Sequence, residues 1–529
     1  MSKVDKVLDN YSAKVFRNRK KHVIELEDDR QEVGANSRSI PGIINHRGCC
    51  YAGCKGVVLG PTKDVVVLTH GPIGCGYYSW LTRRNKAIAD EGGNNFVPYC
   101  FSTDLGESDI VFGGERKLKQ ALKEIVEIFN PEAIFICSTC PVGLIGDDLP
   151  AIAKEATVEY GIDVISFPCE GYKGVSQSGG HHIANNIIIK TMIGKDPSYK
   201  PTKPSINILG EYNIGGDAWE MKRILTEIGY EIIAVISGDG SIKNYRKAQA
   251  ADLNLIQCHR SMNYIAEMMK TQYGTAWMKC DFIGLTATVE TLRSIAKFFD
   301  IPEITQRTEE VIKAELDEIK DDIAYYKSQL EGKTAALFVG GSRSHHYQML
   351  LKDFGVETVL AGYEFAHRDD YEGRAIIPDI VEDADLKNID TIVVKKDETQ
   401  YKVYKTDEEI EELKKEIKLL ENYEGMEADM NKGAVISDDL NHFETEKFIE
   451  ELKPDMFFSG IKDKFIIQKG GILSRQLHSY DYSGPYAGFK GALNFGRDVA
   501  MGVTTPVWKY TKAPWQTEEV LVGTIGGGK

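Results

Sequence analysis

Residues 47–85, RGCCYAGCKGVVLGPTKDVVVLTHGPIGCGYYSWLTRRN, place Cys49, Cys50, Cys54 and Cys75 among glycines and end on the paired Arg83 and Arg84. Thiolates are ligands for iron, zinc or copper(I). Glycines let backbone approach something bulky. Arginines beside both point to an anionic object, so the stretch reads as an iron–sulfur site. Its spacing holds no C-x2-C…C-x2-C pair, which argues against a zinc ribbon. Cys137-Ser-Thr-Cys140 has the spacing of a redox C-x-x-C, but Cys137 falls inside an expected strand and the thioredoxin context is missing. Pairing of Cys49, Cys75 and Cys140 around one cluster is open on spacing alone. Cys258 and His478, taken singly, read equally well as a buried strand-end cysteine and a core histidine.

These residues must be positioned by a regular framework. Short, nearly continuous apolar runs alternate with amphipathic stretches, the signature of α/β architecture with parallel strands covered on both faces. The runs predict strands at 64–69, 133–138, 163–168, 205–210, 231–236, 253–257, 335–339, 357–361, 391–395 and 455–459. Helices are expected at 115–128, 216–229 and 308–330 from apolar residues recurring on one face. The chemistry-bearing residues cluster just after the strands, where open parallel sheets bind ligands. Residues 374–437 differ: they are strongly charged and hold Ile410, Leu413, Ile417 and Leu420 at heptad-like spacing. They read as a surface insertion.

At 529 residues the chain is long enough for two to four domains, and 42% hydrophobic residues supply sizeable cores. A net charge of −15 argues against a general nucleic-acid binder. The cluster RNRKKH at 17–22 reads as a solvated face. The charged N-terminus carries no apolar run of a signal peptide, and no apolar run is long enough to span a membrane. A cytoplasmic setting is expected, in which disulfides explain the ten cysteines poorly.

The motifs RGCCYAGCKGVVLGP, THGPIGC, STCPVGLIGDD, CEGYKGVSQSGGHHIAN, GEYNIGGDAWE, QCHRSMNYI, YEFAHRDDYE, GIKDKFIIQKGG and LHSYDYSGPYAGF occur in this order between about residues 35 and 515. Together they resemble the α-subunits of nitrogenase component 1, the molybdenum–iron proteins. The resemblance implies three Rossmann-like α/β domains with mostly parallel sheets surrounding a central metal-cluster site. It divides the chain into an arm (1–45), a first unit (46–203, joined by 495–529), a second (204–330) and a third (331–494) carrying the insertion at about 374–437.

It also implies roles. Cys49, Cys75 and Cys140 match the cysteines holding half of the P-cluster (8Fe-7S), an electron relay shared with a homologous β-subunit. Three thiolates are too few for an ordinary four-cysteine cubane, so an interface is expected there, within an α2β2 heterotetramer. Cys258 and His478 match the two protein ligands of the iron–molybdenum cofactor (7Fe-9S-Mo-C-homocitrate). Arg83, Arg260 and Arg343 match arginines around that cofactor, and the amides of Gly340 and Gly341 approach its sulfides. Gln177 and His181 match residues beside homocitrate and the reactive iron face. His181 is a candidate proton donor because imidazole titrates near neutrality, whereas His182 reads as a loop histidine facing solvent. Val57 matches the small apolar residue controlling access to the iron face, Ser261 and Phe365 match supporting positions, and Lys462 the homocitrate-side lysine.

The expected reaction is N2 reduction to ammonia with H2 evolution, electrons coming from an ATP-hydrolysing iron protein. This chain has no G-x4-GK[ST] of its own. Departures from the family pattern are Cys50 and Cys54, where some members have Ala and Ser, and Asp463 in place of Glu. Both extra cysteines read as inert thiols. The insertion resembles that of the clostridial-type branch. Rival readings are a vanadium or iron-only nitrogenase α-subunit, a non-catalytic cofactor-assembly scaffold and a protochlorophyllide reductase subunit. The last two have no use for His478.

Overall fold

A computed structural model describes the chain except residues 1, 28–31, 36, 38, 41, 44–46, 82–84, 175, 341–342, 367–369, 372–388, 390–391, 461–462 and 512–529. Three sheets carry the fold. The first has the order β3-β2-β4-β5, from β2 (Val65–His70), β3 (Phe101–Ser102), β4 (Ala133–Ser138) and β5 (Asp163–Phe167). The second has the order β7-β6-β8-β9, from β6 (Ser205–Glu211), β7 (Glu231–Ser237), β8 (Leu253–Ile256) and β9 (Ala276–Lys279). Every pairing within these two sheets is parallel.

The third sheet runs β1-β12-β11-β10-β13-β14. Its strands are β1 (Val23–Glu25), β10 (Thr334–Val339), β11 (Glu357–Tyr363), β12 (Val435–Asp438), β13 (Met456–Ser459) and β14 (Leu473–Gln476). Among these strands only β1 is antiparallel, at the edge. Strands β2 and β4 are buried along their whole length, as their unbroken apolar runs require.

Nine of the ten expected strands are present within a residue or two. The exception is 391–395, of which 392–395 form no strand. β9, β12 and β14 escape a hydrophobicity reading because four residues ending in Lys279, Ser437-Asp438 or Ser474-Arg475-Gln476 make no apolar run. The expected helices appear as Glu115–Phe129, Asp217–Ile228 and Pro302–Leu330. The first buries Leu118, Leu122 and Ile125, one face at helical spacing, and ends on left-handed Asn130. The last starts with Pro at the position where a missing N–H costs nothing.

Three placements differ from the sequence reading. The N-terminal segment, expected as a polar arm, buries Val4, Val7, Leu8 and Val23 against the third sheet. The helix Gly488–Thr504 packs on the helices Pro302–Leu330 and Asp217–Ile228 of the second unit, not on the first. The charged insertion is only partly superficial. Its helix stops at Leu413, while Ile410, Ile417, Leu420, Tyr423 and Met426 are buried. The heptad-like residues reach the core through turns rather than through one continuous helix.

Residues Ala52–Leu59 wind as a π-helix, a form that recurs at functional sites. It crosses the helix Ser178–Thr191 at two glycines. A Cβ on Gly53 would sit 1.9 Å from the carbonyl oxygen of Gln177, and one on Gly180 would sit 1.9 Å from that of Cys50. Backbone touches backbone there, so no side chain fits. Gly180→Ala is expected to destabilise the folded chain by about 3 kcal/mol or more, since the obstruction is rigid backbone. Denaturant unfolding of parent and variant, each purified with its partner subunit, measures this.

Candidate functional site

Two groups of strand-end residues form. At the first sheet, Cys75 lies in the opening turn of the helix Ile73–Leu81 after β2, and Cys140 opens the helix Cys140–Ile145 after β4. Cys49 precedes the π-helix. Gly171, after β5, joins them: a Cβ there would be 3.0 Å from Cys140 Sγ and 3.2 Å from Cys49 Sγ. Burial, then the neighbouring Cys49 and Cys140, push the Cys75 thiol up from its ordinary value. Among the described residues, no three such side chains form a single-ion site. Cys49 and Cys75 are exposed, and Ile73, Tyr77, Tyr78, Leu144 and Tyr172 around them are exposed as well.

Of the remaining cysteines Cys100 is exposed, and Cys50, Cys54, Cys137, Cys169, Cys258 and Cys280 are buried. Burial pushes Cys50 up to about 12 and holds Cys54 well above the usual thiol range. Cys54 contacts Cys137 and Cys169 rather than the set of Cys49, Cys75 and Cys140. Cys137 is fully buried in β4 while Cys140 is half-buried at the start of the next helix. That division does not suit a redox C-x-x-C pair, whose two sulfurs must meet.

The second group converges between the sheets. Cys258 stands between β8 and the helix His259–Tyr273, against Gly210 at the end of β6: a Cβ on Gly210 would be 2.8 Å from that of Cys258. Ser261 Oγ donates to the Cys258 carbonyl at 3.3 Å and pairs with the Tyr212 hydroxyl. Asn185 donates to the Ser261 carbonyl at 2.9 Å. His478 sits in the turn after β14, wedged between two glycines. Cβ atoms on Gly340 and Gly460 would lie 3.4 and 3.2 Å from its ring atoms. Phe365, after β11, fills the other side of Gly340 and meets the His181 ring at 5.5 Å, edge to face.

Arg343 binds this group together. Its Nη1 donates to the Tyr480 hydroxyl at 2.8 Å, and its Nη2 lies 3.4 Å from Glu211 Oε2. Tyr480 in turn donates to Asp217, whose other oxygen accepts from the amides of Tyr486 and Ala487. The loop after His478 is thereby pinned to the second unit. It carries left-handed backbone at three consecutive non-glycine residues, Tyr480, Asp481 and Tyr482, with φ of 51°, 51° and 67°, a concentration of strain typical of functional sites.

The other expected residues fall around this frame. Val57 is buried in the π-helix, its carbonyl accepting from Ser237. Gln177 is buried, its amide oxygen 2.8 Å from where a Gly48 Cβ would sit. That places it beside the segment leading to Cys49. Arg260 is committed through Nε to Asp370 at 2.8 Å, both fully buried. His182 is not at a solvent-facing loop: it lies inside the helix Ser178–Thr191, its ring 5.0 Å from Tyr264, and burial with Arg260 nearby holds it at about 3. Asp463 is buried, 3.7 Å from His442. Arg83, Gly341 and Lys462 lie outside the described residues. Reading single motifs misses the individual parts of Glu211, Tyr212, Asp217 and Tyr480, because their signal is a partner up to 270 residues away.

Three thiols at the strand ends of one sheet, and a thiol, an imidazole and a buried guanidinium at the strand ends of the other two, are the equipment of an α/β redox protein. A family model described as nitrogenase component 1 type oxidoreductase matches residues 49–504, and the chain belongs to that family. It is 56% identical over 528 residues to the nitrogenase molybdenum-iron protein alpha chain of Clostridium pasteurianum, covering 99% of both. It is 52% identical to that of Methanosarcina barkeri, covering 98% of this chain and 97% of the relative. Identity to that of Azotobacter vinelandii is 39%, covering 98% and 96%. A solved structure titled nitrogenase Cp1 at pH 6.5 superimposes with a TM-score of 0.93 at 56% identity, over 97% of this chain and 100% of that one.

Glu211 offers a test that needs no cofactor. Burial raises its carboxyl to about 7, with Arg343 opposing and Asp217 assisting. Between its ordinary value of 4.5 and about 7 the folded chain holds a proton that the unfolded chain has released. This contribution to stability is therefore complete below about pH 4.5 and lost as pH rises through 7. Glu211→Gln is expected to gain on the parent by about 1–3 kcal/mol between pH 5 and pH 8, read from urea unfolding of cofactor-deficient protein at the two pH values.

Proposed function

We propose that this chain is the α-subunit of a molybdenum-type nitrogenase component 1, reducing N2 to ammonia with H2 evolution. The observation that supports the reading is that Cys258, after β8 against Gly210, and His478, after β14 between Gly340 and Gly460, both stand at strand ends tied together through Arg343, which reaches Glu211 beside Gly210 and Tyr480 beside His478. The donor set fits an iron–molybdenum cofactor: a thiol suits iron and an imidazole suits molybdenum. Bare backbone at Gly340 and Gly460 leaves room beside His478, and the buried Arg343 guanidinium matches an anionic guest.

The bound cofactor would supply the multi-electron reduction chemistry. The chain's own residues orient, exclude water and deliver protons. Arg343 holds negative charge in place, with Tyr480 fixing its fork. Phe365 and Val57 keep the reactive side apolar and narrow. His181 presents its ring edge beside Phe365 and is the proton donor to substrate in this reading. Gln177, Ser261 and Arg260 support the surrounding segments, and Arg83, Gly341 and Lys462 are proposed to contribute at positions outside the described residues.

Cys49, Cys75 and Cys140 are proposed to hold half of the P-cluster. Three thiols ringed by exposed apolar residues imply that a second chain completes both the coordination and the interface. That partner is the β-subunit of an α2β2 heterotetramer. The iron protein is the transient partner delivering electrons.

Metal analysis of the chain purified with its partner subunit is expected to find molybdenum with iron; vanadium, or iron alone, would move the reading to the alternative types. Cys258→Ala is expected to lose the cofactor's electronic spin signal and most molybdenum while keeping P-cluster iron. His181→Asn is expected to retain both metals but to lower N2 reduction by about tenfold or more. An unchanged rate would remove His181 from the proton-donor role.

A further inference from the structure

The insertion enters the supporting structure of the proposed cofactor site. From Asp397 onward it runs along the second unit: the Asp397 amide donates to the Gln272 carbonyl and that of Lys402 to the Tyr273 carbonyl. It then extends the free edge of the second sheet. Leu420 bridges antiparallel to Met278 in β9, with the Lys279 amide donating to Leu419 and the Glu421 amide to Trp277. This strap delivers Tyr423 to the interior, almost without exposed surface.

There the Tyr423 ring lies flat on the His259 ring, with centroids 4.1 Å apart and planes 6° from parallel. Lys279 Nζ sits over the same Tyr423 ring at 5.3 Å. The Tyr423 hydroxyl is 3.2 Å from His345 Nδ1, a nitrogen that the Tyr363 hydroxyl also approaches to 3.2 Å. His259 is the residue after Cys258. His345 is two residues after Arg343, in the first turn of the helix Arg343–Asp353.

We propose that Tyr423 is a positioning residue for the cofactor site, bracing the Cys258 segment through His259 and the Arg343 segment through His345. The inference rests on the assignment of Cys258 and Arg343 made above. Two segments from different sheets meet on one rigid ring, so their separation is set by a side chain that the insertion brings in. A ring with two torsions loses little entropy on being fixed, and a locked supporting group is what holds a binding constellation to tolerance.

The test uses the protein purified with its partner subunit and compares Tyr423→Leu, Tyr423→Phe and Tyr404→Leu with the parent. Tyr404 belongs to the same strap but packs on Phe298 and Phe299, away from either segment. Tyr423→Leu is expected to release molybdenum to a chelator roughly tenfold faster, as loss of a supporting contact to a metal site does, and to shift the cofactor's spin signal, with P-cluster iron unchanged. Tyr423→Phe keeps the stack and is expected to retain molybdenum, with a smaller spectral shift. Tyr404→Leu is expected to leave the spin signal as in the parent.

An unshifted signal and unchanged molybdenum release in Tyr423→Leu would overturn the inference. So would a Tyr404→Leu variant that shifts the signal equally, since general loosening of the strap would then suffice. If Cys258→Ala keeps its spin signal, the site assignment falls and this inference with it. If Cys258→Ala loses its signal and Tyr423→Leu does not move, only the positioning role falls.

Discussion

The Arg343 guanidinium is the point at which the second and third sheets are fastened together at the proposed site. It begins a helix after β10, reaches Glu211 at the end of β6, and through Tyr480 and Asp217 fastens the turn that carries His478. A buried cation with one fully buried carboxylate partner is costly to desolvate. Here burial and Asp217 push the carboxyl toward its neutral form while Arg343 keeps its charge. The frame thus holds a charged guanidinium beside two buried carboxyls, Glu211 and Asp217. A buried guanidinium held between two sheets suits recognition of an anion.

The same constraint explains where glycine stands. Gly210 lies against Cys258, Gly340 and Gly460 against His478, Gly171 against Cys49 and Cys140, and Gly53 and Gly180 where two helices cross. Each is a place where a Cβ would collide with backbone, a proposed ligand or a neighbouring side chain. These are packing requirements.

Much of this is legible in the sequence because parallel strands buried on both faces leave unbroken apolar runs, and because the residues just past each run are conspicuous: His70-Gly-Pro, Cys140-Pro, Cys258-His259, Gly340-Gly341. Short polar-ended strands such as β12 and β14 are not legible, since four residues carry too little periodicity to register. The insertion misleads for a different reason. Its charge is genuine and its exposed residues dominate the composition, yet Ile417, Leu420, Tyr423 and Met426 are separated by turns, so no helical or strand period reveals their common burial. His182 misleads because a Gly-Gly-His-His sequence looks like a loop. In fact the second of these glycines, Gly180, is required by the helix crossing that buries it.

One consequence joins the two centres. The segment from Cys49 to Val57 is continuous through the π-helix, and Gln177 lies against both Gly48 and Gly53. The proposed electron relay and the proposed reactive side therefore share a rigid element rather than a loop. Glycine-to-backbone contact with the helix Ser178–Thr191 leaves no side chain between the two elements to yield. That second helix also carries His181. A displacement of Cys49 would thus be transmitted to Val57, Gln177 and His181 together, through backbone contact instead of through rotamer changes. In this arrangement the proposed partner subunit, by completing the proposed coordination at Cys49, would also fix the geometry around Val57, Gln177 and His181.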